Sequence, residues 1–227
     1  AQIVGRRQRR VVDLIRIGSR IPVTLPMRIT AELAALLGSF RAPGRREVAL
    51  VTHVEHALEI TTSLVLAIDR LRRAGIGVYN QHVYTAYVSR RFETLHLRLM
   101  LRRAGIDPYY TFIPKGKRET DLYRVPLARI LQEQREEARL APGLRRTDEA
   151  VYNVPSLGKN YLRARQYRSL LAVLPSGARV YEFFPWETNI VECQTYVGAD
   201  KPILDYLREI EAMGEDPADY QSIWFYF

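Results

Sequence analysis

Short apolar runs alternate with amphipathic stretches along this chain, and a polar loop follows most of the runs. Val11-Val12-Asp13-Leu14-Ile15-Arg16-Ile17-Gly18 reads as a strand stopped by glycine, with Ser19 to Pro22 as the loop after it. The arginine-rich first ten residues read as a helix end entering that strand. Thr30 suits the N-cap of a helix through Leu37, closed by Gly38. Val48 to Thr52 is the next strand; His53 to Glu59 is a polar loop, and Thr61 to Ala74 a helix. The pattern then repeats: Leu71-Arg72-Arg73-Ala74-Gly75-Ile76 recurs as Leu101-Arg102-Arg103-Ala104-Gly105-Ile106. Each copy ends a helix with basic residues, which suit its negative terminus, and a C′ glycine. Each then enters a strand, Ile76 to Asn80 and Ile106 to Tyr110. Such strand–helix units predict parallel neighbours joined by right-handed crossovers.

After Phe112 the pattern changes. Ile113 to Tyr123 reads as a polar loop, and Val125 to Arg139 as an amphipathic helix with Leu127, Ile130, Leu131 and Ala138 near one face. Val151 to Val154 is strand-like and leads through a proline turn to Gly158-Lys159. Leu170 to Leu174 and Arg179 to Phe184 flank Pro175-Ser176-Gly177 as a hairpin, and Pro202 to Met213 is a last helix. The aromatic tail Trp224 to Phe227 must dock, either on this chain or on a second copy. The fold class expected is α/β: half of a TIM-type parallel barrel over residues 1–150, then a lysine turn, β-hairpin and helix over residues 151–227.

Composition narrows the picture. Hydrophobic content of 47% and charged content of 26% are those of a soluble globular protein. No apolar run approaches the about 20 residues that span a membrane, and no leader-like segment opens the chain. Cys193 is the single cysteine, which fits a reducing cytoplasm and excludes a self-contained Cys₄ zinc or iron–sulfur site. The net charge of +9 comes almost wholly from arginine, since only Lys115, Lys117, Lys159 and Lys201 are lysines. It reads first as guanidinium groups solvated on helix backs, and second as a surface for nucleic acid or another anion.

In a barrel of βα units the loops after the strands form the active face. Here those positions hold Ser19 and Arg20, His53 to His56, Asn80 to His82, and Phe112 to Lys117. His53 and His56 bracket Glu55 as an HxxH pair, but no helix is expected there, so loop hydrogen bonding or ligand contact is favoured over metal. Gly158 lets a backbone approach a planar ligand closely, and Lys159 is either a solvated turn lysine or an amine that condenses with an aldehyde cofactor.

Laid in order, these segments resemble the carboxy-terminal half of the lysine 2,3-aminomutase family, radical S-adenosylmethionine enzymes that also carry pyridoxal phosphate. Arg16 to Val23 resembles the family's RIG[ST]RxPV. Thr52-His53-Val54-Glu55-His56 with Glu59-Ile60-Thr61 resembles THFNHPxEIT, with three substitutions. Gly75-Ile76 with Asn80-Gln81 resembles GIPLxNQ. Pro108-Tyr109-Tyr110 resembles the next strand, and Val154 to Lys159 a shorter form of the cofactor-lysine turn. The resemblance implies that Lys159 holds pyridoxal phosphate, and that a [4Fe–4S] cluster cleaves S-adenosylmethionine to a radical that starts migration of an amino group from Cα to Cβ. Gln81 and His53 are then candidates for S-adenosylmethionine contact, with Ser19 and Arg20 behind them. Tyr110 and Phe112 pack on a cofactor or belong to the core.

Two departures stand out. The lysine enzymes hold a distal ammonium with two aspartates, whose positions here read Lys115 (or Lys117, if the loop register shifts) and Asn153. That exchange favours a distal carboxylate and resembles the glutamate 2,3-aminomutase branch, so the expected reaction is L-glutamate to β-glutamate, with lysine as the alternative substrate. The family's CxxxCxxC loop is not in this sequence. The chain is therefore expected to be inactive alone, to need an amino-terminal half from upstream or another chain, and to form a homo-oligomer. A non-catalytic fragment or paralogue serving as an assembly or binding module is the rival reading; nucleic-acid binding rests on charge alone.

Overall fold

The computed structural model describes residues 12–114, 118–185 and 192–227; the expected amino-terminal helix end lies outside them. The apolar runs become one sheet. Strands β1 (Leu14–Gly18), β2 (Glu47–Thr52), β3 (Gly77–Val83), β4 (Asp107–Ile113) and β5 (Glu149–Val154) lie side by side in chain order, each parallel to the next. A sixth strand, β6 (Gly158–Tyr161), pairs antiparallel with β5. The connections carry α1 (Ile21–Thr24), α2 (Ala31–Ser39), α3 (Thr62–Arg73), α4 (Glu93–Arg103) and α5 (Leu127–Glu136). Strands in unbroken sequence with their helices on one face wind as a TIM-type barrel does, not as a doubly wound sheet, and make a half-barrel.

Alternation along the strands separates the two faces. Val48, Leu50, Val78 and the strand-entry residues Ile76 and Ile106 pack against Leu64, Ala67, Ile68 and Leu71 of α3 and Leu97 and Leu101 of α4. Each such valine, leucine or isoleucine gains about 1.5–3 kcal/mol on burial. The repeated hexapeptide is a helix stop written twice. Gly75 and Gly105 take φ of +78° and +81°, and the amides of Ile76 and Ile106 reach back to the carbonyls of Leu71 and Leu101 at 3.0 and 2.9 Å. That is the Schellman closure, with its apolar pair buried in the core. Thr30 and Thr61 cap α2 and α3 by accepting from the amides of Leu33 and Leu64.

The second core joins α5, the outer side of β5, and a separate antiparallel sheet of β7 (Arg168–Val173), β8 (Arg179–Phe183) and β9 (Tyr196–Ala199), sealed by α6 (Ile203–Ala212). The expected hairpin is β7–β8; β9 was not foreseen. The aromatic tail docks on this unit: the Trp224 ring lies against Gly177, and Arg179 donates to the carbonyls of Trp224 and Tyr226. Three expectations are corrected. Gly38 lies inside α2, which runs on to Ser39, and does not close it. Asn80 to His82 and Phe112 lie within strands rather than in loops after them, and Lys159 lies in strand β6 rather than on a turn.

Candidate active face of the half-barrel

The sheet face turned away from the helices collects the candidate residues. Register pairs Gln81 with Tyr110, Val83 with Phe112, Phe112 with Val151, and Asn153 with Lys159. Residues paired in register share a face, so Gln81, Tyr110, Phe112, Asn153 and Lys159 form one band across β3 to β6. The hairpin Val154–Gly158 sets Asn153 directly opposite Lys159. The exposed Lys159 reaches back across β5, with Nζ 4.4 Å from the centre of the Tyr110 ring and 6.0 Å from that of Phe112. Among the described residues it has no carboxylate partner. Cations over aromatic faces are attracted to the ring quadrupole. Tyr110 continues an aromatic row, its ring 3.9 Å from that of Tyr109, which meets Tyr79 edge-on. Burial, then hydrogen bonds with Tyr109 and Tyr161, hold the Tyr110 phenol well above its ordinary value.

The loops at the carboxy ends of β1 and β2 meet at two carboxylates. Asn80 points to the helix side and clamps the second loop, accepting from the Val54 amide at 2.7 Å and donating to its carbonyl at 3.0 Å. This holds His53 one residue past the Thr52–Asn80 pair, level with Gln81. Glu55 accepts from the Val83 amide at 2.8 Å and lies 3.9 Å from His53 and 3.8 Å from His82. Burial, reinforced by Glu59, pushes the Glu55 carboxyl up to about 7 against the pull of the Val83 amide and Arg20. His82 is buried, which lowers it to about 4, so its ring is neutral. Glu59 binds Arg20 at 2.6 Å and accepts from the Glu55 amide at 2.7 Å. Ser19 turns inward on its own loop and accepts from the Ile21 amide at 3.2 Å.

The structure thus gathers Gln81, Asn153 and Lys159 on one face, with His53, Ser19 and Arg20 at its rim. Lys115 and the alternative Lys117 lie outside the described residues. Tyr161 carried no signal of a role in the sequence; Glu59 matches the motif's glutamate, and Glu55 replaces its asparagine. His56 pairs with Glu93 at 2.9 Å, apart from His53, and no cluster of three or more metal-ligating side chains occurs among the described residues. A free amine above an aromatic floor on an open face fits pyridoxal phosphate, whose ring is planar. One cysteine does not fit a [4Fe–4S] cluster. No described helix is long and apolar enough to cross a membrane.

No family profile matches the chain. It is 51% identical over 213 residues, 94% of its length, to an uncharacterised KamA family protein of Methanocaldococcus jannaschii, of which it covers 34%. It is 38% identical over 107 residues, 44% of its length, to the L-lysine 2,3-aminomutase of Methanococcus maripaludis, covering 22% of that enzyme. Against the glutamate 2,3-aminomutase of Clostridioides difficile it is 25% identical over 206 residues, 90% of its length and 45% of that enzyme. The chain spans less than half the length of these relatives. The resemblance carried in the sequence by an ordered string of short motifs is thus borne out: nearly the whole chain is similar to a KamA family protein, and about half of it to L-lysine 2,3-aminomutases.

Proposed function

We propose that this chain is the pyridoxal-phosphate-bearing part of a radical S-adenosylmethionine 2,3-aminomutase, an isomerase that moves an amino group from Cα to Cβ, and that its substrate is L-glutamate. The observation that supports this most is the Lys159 amine, free of any carboxylate among the described residues and resting on Tyr110 and Phe112, on the face that also carries Gln81. Lys159 would hold the cofactor through its ε-amino group, with Tyr110 and Phe112 as the aromatic side chains beside that amine. When bound, pyridoxal phosphate supplies the conjugation that steadies a radical beside the migrating nitrogen. Gln81 and His53 contact S-adenosylmethionine, with Ser19 and Arg20 at the rim; the Glu59 ion pair fixes Arg20. The cluster ligands come from residues outside these 227, supplied upstream or by another chain, so the chain alone does not turn over.

The choice of glutamate rests on Asn153. Opposite Lys159, a neutral amide donor replaces an anion, and Lys115, two positions past the end of β4 in sequence, adds a cation. An amide donor and an ammonium stabilise a distal carboxylate and repel a distal ammonium. The test has two stages. Pyridoxal phosphate added to the full-length protein develops the visible band of a lysine-bound cofactor, and Lys159→Ala removes the band while circular dichroism is unchanged. The same protein, with cluster and S-adenosylmethionine, then turns over glutamate. A band that survives Lys159→Ala rejects the cofactor site, whereas turnover of lysine with none of glutamate rejects only the substrate.

A further inference from the structure

On the far side of the β5–β6 hairpin from Lys159, a cavity of about 420 Å³ opens between α5 and the strands leading into β7. Five arginines line it: Arg135 from α5, Arg146, and Arg163, Arg165 and Arg168 around the entry to β7. Among the described residues, no carboxylate side chain lines it. Apart from Gln134, the remaining wall is apolar or aromatic, formed by Leu131, Ala138, Leu162, Tyr226 and Phe227.

Four of these guanidinium groups reach solvent and one, Arg168, is buried. Arg168 is only 8% exposed, and one NH group donates to the Leu162 carbonyl at 2.7 Å. No acid pairs with Arg168 among the described residues, and burial together with Arg165 makes its proton easier to lose. Arg146 and Arg163 reach backbone carbonyls only, Arg165 lies over the Phe227 ring at 5.7 Å, and Arg135 has no ion pair among the described residues. Acids outside the lining act on it only in part: Glu136 takes Arg91, Ser222 and Tyr226, while Asp148 and Glu149 attract Arg163 without an ion pair to it among the described residues. Gln134, which also lines the cavity, has both amide atoms buried without partners. Buried polar groups are normally paired, and a buried cation without a counter-charge is expensive. Convergent arginine forks answer one chemistry above others, an oxyanion with several acceptor oxygens. The size suits a small ligand, and the Phe227 and Tyr226 rings suit a flat group beside it.

We propose that this pocket is a binding site for a small phosphate-bearing anion, separate from the Lys159 face. Two sources share that chemistry, an inorganic polyphosphate and a nucleoside diphosphate, and calorimetric titration of the full chain with pyrophosphate and with ADP distinguishes them. The expected result is saturable one-site binding of pyrophosphate at near-physiological ionic strength. Arg135→Glu and Arg165→Glu, both at exposed positions, each weaken it at least about tenfold, while Lys159→Ala leaves it intact. ADP binding more tightly than pyrophosphate assigns the nucleotide, its base on the aromatic wall; equal or weaker binding assigns the inorganic anion. Absence of saturable heat with either ligand, or affinity unchanged by both charge reversals, overturns the proposal. So does loss of the binding in Lys159→Ala, which would place the anion on the other face.

Discussion

Glu55 sits in an environment that disfavours its charged form. It stands where the aminomutase motif carries asparagine, between a half-exposed His53 and a buried neutral His82, with the Glu59 carboxylate on the same loop. An unfolded chain releases this proton near the ordinary 4.5, whereas the folded chain holds it to about 7. Between those values the unfolded state binds fewer protons, so stability falls as pH rises; the cost is complete above about pH 7 and amounts to at most about 3 kcal/mol. Glu55→Gln keeps the shape and an acceptor for the Val83 amide but cannot ionise. It should therefore raise the denaturant midpoint above about pH 7 and leave it nearly unchanged below about pH 4.5. An equal gain at both pH values would show that ionisation has nothing to do with it. At this scale Lys159 and Gln81 were legible because short motifs name them. The contact of Tyr161 with Tyr110 and the pairing of Glu59 with Arg20 were not, because they depend on which strand or loop lies alongside, and nothing local encodes that.

Elements were legible where local chemistry and tertiary demand agree. The two Schellman stops, the threonine caps and the apolar cores of β2 to β4 each follow from nearby residues. β3 runs on to Val83 through Asn80, Gln81 and His82, which read as loop because they are polar; the register gives each a partner or a place on the open face. β6 has only one side in the core: Asn160 is buried while Gly158, Lys159 and Tyr161 are exposed, so it shows neither an apolar run nor β-branched residues. The packing of α2 on α3 yields a prediction against propensity. Alanine normally exceeds glycine inside a helix by up to about 1 kcal/mol, yet a Cβ on Gly38 would lie 2.7 Å from the Ala74 carbonyl oxygen. That oxygen belongs to the backbone at the end of α3 and cannot swing aside. Gly38→Ala should therefore destabilise by about 1–3 kcal/mol, read from chemical denaturation; a stabilised variant would mean the two helices separate freely.

Across the whole molecule, a buried ion network ties the half-barrel to the unit behind it. Arg98 on α4 binds Glu137, just past α5, and Asp148, just before β5, which also accepts from the Thr111 hydroxyl of β4 at 2.6 Å. All three ionic side chains are nearly inaccessible. Burial alone would raise Asp148, but Arg98 and Thr111 outweigh it and keep the carboxyl below its ordinary value. The sequence reading of separate βα units gave no hint of this network, since its members are 39 and 50 positions apart and look like solvated charges on helix backs and loops. Removing the shared cation leaves two buried acids unpaired, so Arg98→Met should cost about 3–5 kcal/mol. Neutralising the acids as well, in Arg98→Met with Glu137→Gln and Asp148→Asn, should recover a substantial part, because the penalty lies in the stranded charges and not in lost attraction. The comparison separates two designs for the molecule. Recovery means the network chiefly fixes which surfaces meet, at little net gain in stability. A triple variant as unstable as Arg98→Met would mean instead that these ion pairs themselves hold the half-barrel against α5.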